Sequence, residues 1–288
     1  MNHDEWSAAQ AETTVTVDGH DLSVAYYNSG SLADSVAETL VFLHGIPTWS
    51  FLWRHIVPAF ENEYRVVVPD MLGYGNSDRR DCFDRSIRAQ EAMLEALLDD
   101  IGVDRVTLIA HDIGGGVALR FAAHSPDRVD RLVASNAVCY DSWPVEFVSG
   151  FGLPSTVDMD DEAFEGKLDF AFGEGTYDDA APEFVDGMKA PWLREDGKLA
   201  LARAAVATNT NHTTEIDYDA IDADVLCLWA SEDVMQPIEY GERLATDLGG
   251  EVAELTEAYH WIVEDRPDAY RENLRAFLTE TDTTGAGE

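Results

Sequence analysis

Basic residues and cysteine are scarce in this 288-residue chain. Lys+Arg number 19 against 56 Asp+Glu, leaving a formal net charge of -37, and the lysines are only Lys167, Lys189 and Lys198. Such a surface repels phosphates and anionic lipid, which argues against a nucleic-acid or membrane partner. Its self-repulsion also strains the compact state unless salt shortens the screening length, so a salt-adapted, halophilic protein is expected. The three cysteines, Cys82, Cys139 and Cys227, form no CxxC pair. Neither a disulfide framework nor a zinc site is therefore expected, and a reducing cytoplasm fits. No run approaches the ~18 apolar residues of a membrane span, and residues 1–14 have no basic region leading into an apolar core.

The composition that remains, 45% hydrophobic and 10% aromatic, is that of a globular protein. Short β-type runs (TTVTV, LSVAYYN, ETLVFLH, YRVVVPD, DRVTLIAH, VDRLVASNAV, ADVLCLWAS) alternate with helical patterns. This alternation predicts an α/β protein with a mostly parallel sheet covered on both faces. Apolar residues at 87, 93, 94, 97 and 98, with Gly102 as a stop signal, predict a helix over 86–100. Residues 140–215 break the alternation and read as an inserted subdomain between two parts of a core, 13–139 and 216–280. Residues 1–12 and 281–288 are small, polar or acidic and are expected to be loose termini.

The run VTLIA leads directly into His111-Asp112-Ile113-Gly114-Gly115-Gly116 and then a helical pattern. Strand, sharp turn and helix make the context of a nucleophile elbow, with Ala110 and Gly114 at the small positions and Asp112 where a serine usually stands. A carboxylate is already ionised at neutral pH and needs no base to activate it. Its natural target is an electrophilic sp3 carbon, giving an ester on Asp112 that a base-activated water must hydrolyse. His260, after the strand-like run 251–255, is the expected base. Asp233, after the strand 225–230, is the acid expected to orient it, with Glu232 its local competitor. The backbone N–H groups of Ile46, in His44-Gly45-Ile46-Pro47, and of Ile113 are the expected oxyanion hole. His111 is read as structural because neighbours on a strand face opposite ways.

Four motifs, HGIPTWSFLWRHIVP, PDMLGYGNSD, HDIGGG and HWIVEDRPD, resemble the Asp-nucleophile branch of the α/β-hydrolases, above all haloalkane dehalogenases, with epoxide hydrolases next. The resemblance implies the α/β-hydrolase fold, a helical cap over 140–215, and hydrolytic dehalogenation of haloalkanes to alcohol plus halide. It also places the acid of some members after the preceding strand, where this chain has Asn136, which favours Asp233. Dehalogenases of this kind usually carry Trp after the nucleophile and many carry Asn in HGxP, both halide donors; here those positions are Ile113 and Ile46. Trp49, Trp143 and Trp192 are candidate replacements, and Tyr140 and Tyr177 are candidate acids for an epoxide hydrolase, the alternative reading. A small-molecule-binding member without turnover is a third. None of these readings requires a metal or organic cofactor, and the expected partner is a small-molecule substrate; oligomeric state leaves no mark on the sequence.

Overall fold

The structure, a computed structural model, describes residues 1–30, 38–207 and 209–280. Eight strands form one sheet: β1 Ala11–Val17, β2 His20–Asn28, β3 Thr39–Leu43, β4 Arg65–Pro69, β5 Val106–His111, β6 Val129–Ser135, β7 Asp224–Ala230 and β8 Glu251–Leu255. Their order is β1-β2-β4-β3-β5-β6-β7-β8. β1 and β2 pair antiparallel, as do β2 and β4, and every pairing from β4 to β8 is parallel.

The central strands read as continuous apolar runs because helices cover both faces. Every residue of β3 and of β5 is buried. Each fully buried Val, Leu or Ile there contributes about 1.5–3 kcal/mol relative to exposure. The expected helix occupies Ile87–Asp100, with the Ser86 side chain accepting from the Ala89 N–H as its N-cap. Its Met93, Leu94, Leu97 and Leu98 are buried, at the spacing of one helical face. Between β6 and β7 the described residues contain helices and no strand, with Asp161–Gly173, Pro182–Lys189 and Gly197–Val206 the longest.

The N-terminal residues are not the loose segment expected from their composition. Asn2 and Glu5 close a reciprocal capping box on the helix His3–Ala9, and β1 begins at Ala11. Trp6 anchors the helix: it is buried, stacks on Tyr27 with ring centroids 4.9 Å apart, and donates its indole N–H to Ser50 Oγ at 2.9 Å. One large aromatic ring and two satisfied caps outweigh the polarity of their neighbours. The expectation for 281–288 lies outside the described residues.

Candidate active site

The parallel strands all end on one edge of the sheet, and the loops leaving β3, β5, β6, β7 and β8 carry Ile46, Asp112, Asn136, Asp233 and His260. This edge is where open α/β sheets hold ligands. Asp112 sits at the turn between β5 and the helix Ile113–His124, with φ 52 and ψ -125. For a residue with a Cβ this conformation costs about 1–3 kcal/mol and must be imposed by its surroundings. The surroundings do so. The Asp112 carbonyl accepts from the N–H groups of Gly115 and Val138, both at 2.9 Å. A Cβ on Gly114 would lie 2.5 Å from the His44 carbonyl oxygen, and one on Gly45 would lie 2.4 Å from the Asp112 Cβ. Glycine at these two positions lets the two loops meet.

The Ile46 N–H donates to Asp112 Oδ1 at 2.8 Å, and the Ile113 N–H also bonds the carboxylate. His44 braces this loop: its Nδ1 donates to the Gly45 carbonyl oxygen at 2.9 Å and its Nε2 accepts from the Met71 N–H at 2.9 Å. Burial pushes the Asp112 pKa up, opposed by His260 and the two backbone donors.

His260 Nδ1 lies 2.8 Å from Asp233 Oδ2 and donates to it, which leaves Nε2 free to face Asp112 Oδ2 at 3.7 Å. Asp233 is fixed in turn, because its Oδ1 accepts from the N–H groups of Met235 and Gln236 at 2.7 and 3.1 Å. Burial lowers the His260 pKa, but the Asp233 and Asp112 carboxylates outweigh it, and the net shift is upward. Glu232, the neighbouring candidate, is exposed and turns to the outer cleft described below.

His111 is buried, with Nδ1 donating to the Ser135 carbonyl oxygen at 3.1 Å. Its ring nevertheless packs beside His260, centroids 4.8 Å apart, so strand alternation does not take it away from the site. Burial holds it well below the usual histidine pKa, and it stays neutral.

Asp112 and His260 line a cavity of about 230 Å³. Its walls are mostly apolar: Phe147, Val148, Phe170 and Ala171 come from the helical segment between β6 and β7, and Ile46, Pro47, Val234, Met235 and Trp261 from the core loops. Glu174 stands at its edge. A cleft of about 530 Å³ adjoins it, shares Glu174, Val234 and His260, and adds Glu232 and Tyr259.

The aromatic donors expected from sequence do not line this cavity. Trp49 Nε1 donates to the Gly187 carbonyl oxygen at 2.9 Å, and Trp192 Nε1 to that of Pro47 at 2.6 Å. Trp143 is buried but is not part of the lining. Tyr140 stacks on Tyr218 and donates to Asp247 Oδ2 at 2.7 Å, while Tyr177 packs against Tyr259 near the surface. Trp49, Trp192 and Tyr140 thus brace other parts of the fold, the Trp143 indole N–H has no hydrogen-bond partner among the described residues, and Tyr177 lies beside Tyr259 of the adjoining cleft. Sequence reasoning passed over Trp261, although it adjoins His260; its indole N–H is also engaged, by the Ala171 carbonyl oxygen at 3.1 Å.

The sequence pattern of the alpha/beta hydrolase fold matches residues 38–182, half of the chain. The chain is 39% identical over 114 residues to a cis-3-alkyl-4-alkyloxetan-2-one decarboxylase of Shewanella oneidensis, covering 38% of this chain and 34% of that one. It is 35% identical over 107 residues to haloalkane dehalogenase 2 of Mycobacterium tuberculosis, covering 37% of this chain and 36% of the relative. The matches thus span little more than a third of either relative. A crystal structure of an alpha/beta hydrolase fold protein from Burkholderia ambifaria superposes with a TM-score of 0.80 at 27% identity, over 91% of this chain and 96% of that one. With an eight-stranded, mostly parallel sheet and an elbow after β5, the chain belongs to the α/β-hydrolase fold family.

Proposed function

We propose that the protein is a hydrolase that forms an ester between Asp112 and a small apolar alkyl substrate, with dehalogenation of haloalkanes as its reaction. The observation that carries this reading is the pair of contacts on one carboxylate: Oδ1 held by the Ile46 N–H at 2.8 Å, Oδ2 facing His260 Nε2 at 3.7 Å. Oδ2 displaces halide from carbon, forming a C–O bond as the carbon–halogen bond breaks. His260 Nε2 then takes a proton from a water that attacks the Asp112 carbonyl carbon. The Ile46 and Ile113 N–H groups hold the negative charge that develops on Oδ1, and collapse of the adduct releases the alcohol.

The donor-poor lining ranks the possible leaving groups. An epoxide oxygen leaves as an alkoxide and needs a proton, yet neither Tyr140 nor Tyr177 lines the cavity. A halide leaves without one. With isoleucine at 46 and 113, bromide and iodide are expected to be displaced well ahead of chloride. A second reading rests on the same lining and on the likeness to the Shewanella decarboxylase. Opening an oxetan-2-one at its ring C–O carbon expels a carboxylate, which also needs no proton. Loss of carbon dioxide with departure of the Asp112 carboxylate then gives an alkene and regenerates the enzyme without water.

The test is product analysis with 1-bromohexane, 1,2-epoxyhexane and a dialkyl oxetan-2-one, together with intact-mass measurement of His260→Gln. Hexanol from the bromide, with a hexyl ester accumulating on His260→Gln and absent from Asp112→Asn His260→Gln, is the expected result. Alkene from the lactone without products from the bromide would move the assignment to decarboxylation, and a diol alone would move it to epoxide hydrolysis. No product and no adduct from any of the three would refute covalent catalysis and favour a binding role.

A further inference from the structure

We propose that Glu174 sets the charge preference of the cavity, so that alkyl ligands with a cationic ammonium end are held ahead of uncharged ones, and uncharged ones ahead of carboxylates. The inference rests on the assignment of the Asp112 cavity as the substrate site.

Glu174 lines both the apolar cavity and the adjoining cleft, and therefore stands where the two join. It has no ion-pair partner among the described residues, and no lysine or arginine lines either space. It is also the C-cap of the helix Asp161–Gly173, whose last turn contains no basic residue. The negative end of that helix dipole thus adds to the carboxylate at the same place. Glu232 and Tyr259 also line the cleft and add a second carboxylate and an aromatic ring to it. Carboxylates beside an aromatic face favour an ammonium group by charge and by cation–π attraction.

The inner space is apolar and, at about 230 Å³, small. Phe170 and Val234, which line it, are 57% and 90% exposed and so form its rim. An alkyl chain reacting at Asp112 would leave over that rim and deliver its far end into the cleft that Glu174 and Glu232 line. Replacing Glu174 by glutamine keeps the shape and removes the one carboxylate, among the described residues, at the junction of cavity and cleft that belongs to neither the elbow nor the His260–Asp233 pair. A unit charge at this range, partly screened by solvent, changes affinity by about fivefold.

Calorimetric binding of hexyltrimethylammonium, hexanol and hexanoate to the whole protein tests the inference, at the lowest salt that preserves its native circular dichroism. Wild type is expected to bind them in that order of decreasing affinity. Glu174→Gln should narrow the ammonium-over-carboxylate ratio about fivefold, whereas Glu95→Gln, the same charge change on the exposed side of the helix Ile87–Asp100, should leave it within about twofold. Binding of these ligands with a ratio that Glu174→Gln does not move, or that Glu95→Gln moves equally, would overturn the role of Glu174 and leave the site assignment standing. Binding of none of them would overturn both. Turnover of 1-bromohexane, measured separately, reports on the chemistry alone.

Discussion

Asn136 Nδ2 donates to Asp233 Oδ2 at 2.7 Å, the same oxygen that accepts from His260 Nδ1 at 2.8 Å. Its Oδ1 accepts from the Ala230 N–H at 2.9 Å, and its backbone has φ 43. One amide therefore ties the end of β6 to the end of β7 and holds the Asp233 carboxylate. Asn136→Ala removes the donor and leaves the buried Ala230 N–H without a partner, a loss of about 1–3 kcal/mol. We expect kcat to fall about ten- to a hundredfold with little change in KM. A fall in stability with unchanged kcat would show that Asn136 holds the strands and not the acid.

Gly45→Ala is expected to abolish activity. The added methyl would lie 2.4 Å from the Asp112 Cβ and 2.5 Å from its Oδ1, so either the elbow or the His44–Pro47 loop must move. Such a shift separates Ile46 N–H from Oδ1. Gly102→Ala is the comparison, because a methyl there meets nothing within 4 Å, although φ +66 strains it. Loss of turnover at position 45 with activity retained at 102, both checked for folding by circular dichroism, is the expected contrast. Retained turnover in Gly45→Ala would mean that the close approach is dispensable.

The acid limb of turnover should reflect His260. Burial lowers its pKa, while the charge and hydrogen bond of Asp233 and the charge of Asp112 raise it further, leaving it above the ordinary 6.5. His260 accepts a proton from water only when neutral, so ester hydrolysis should fail as pH drops through its pKa, which in the ester Asp233 alone holds up because the Asp112 charge is gone. Displacement by Asp112 does not need the neutral ring. A single alkylation per enzyme, without further turnover, is therefore expected on the acid side, read by rapid-quench mass spectrometry. Asp233→Asn removes the charge and the carboxylate hydrogen bond of Asp233, the larger of the two carboxylate contributions, and should move the midpoint down; a midpoint that stays put would remove His260 as the titrating base.

Much of this site was legible in the sequence because its parts are local. Asp112 is fixed by a strand, a turn and a helix contiguous in the chain, and His44-Gly45-Ile46-Pro47 and Asp233 each follow a strand directly. The donors were not legible. Whether Trp49 or Trp192 has a free indole N–H depends on the Gly187 and Pro47 carbonyls, 138 and 145 residues away. The cavity wall was hidden for the same reason, since Phe147, Phe170 and Glu174 come from helices whose placement over the sheet is set by tertiary packing. The order of the N-terminus, by contrast, had a local signal in Asn2 and Glu5, three residues apart, with Trp6 following.

Salt should stabilise the fold. With 56 acidic residues and 19 basic ones, the folded surface repels itself more strongly than the expanded chain does. Ion pairs offset part of this: Lys189 alone meets Glu165, Asp169 and Asp186 within 3.4 Å. Screening weakens such pairs and the repulsion together, so the sign depends on which is larger. Exposed pairs are each worth at most about 1 kcal/mol, and there are too few cations to pair most of the acids. The repulsion among the unpaired acids therefore decides, and it falls as the screening length drops from about 10 Å at 0.1 M to about 3 Å at 1 M. The melting temperature should rise between dilute and molar potassium chloride. Potassium chloride and potassium bromide should act alike if screening is the cause, and a melting temperature that falls with either salt would remove the basis for salt adaptation.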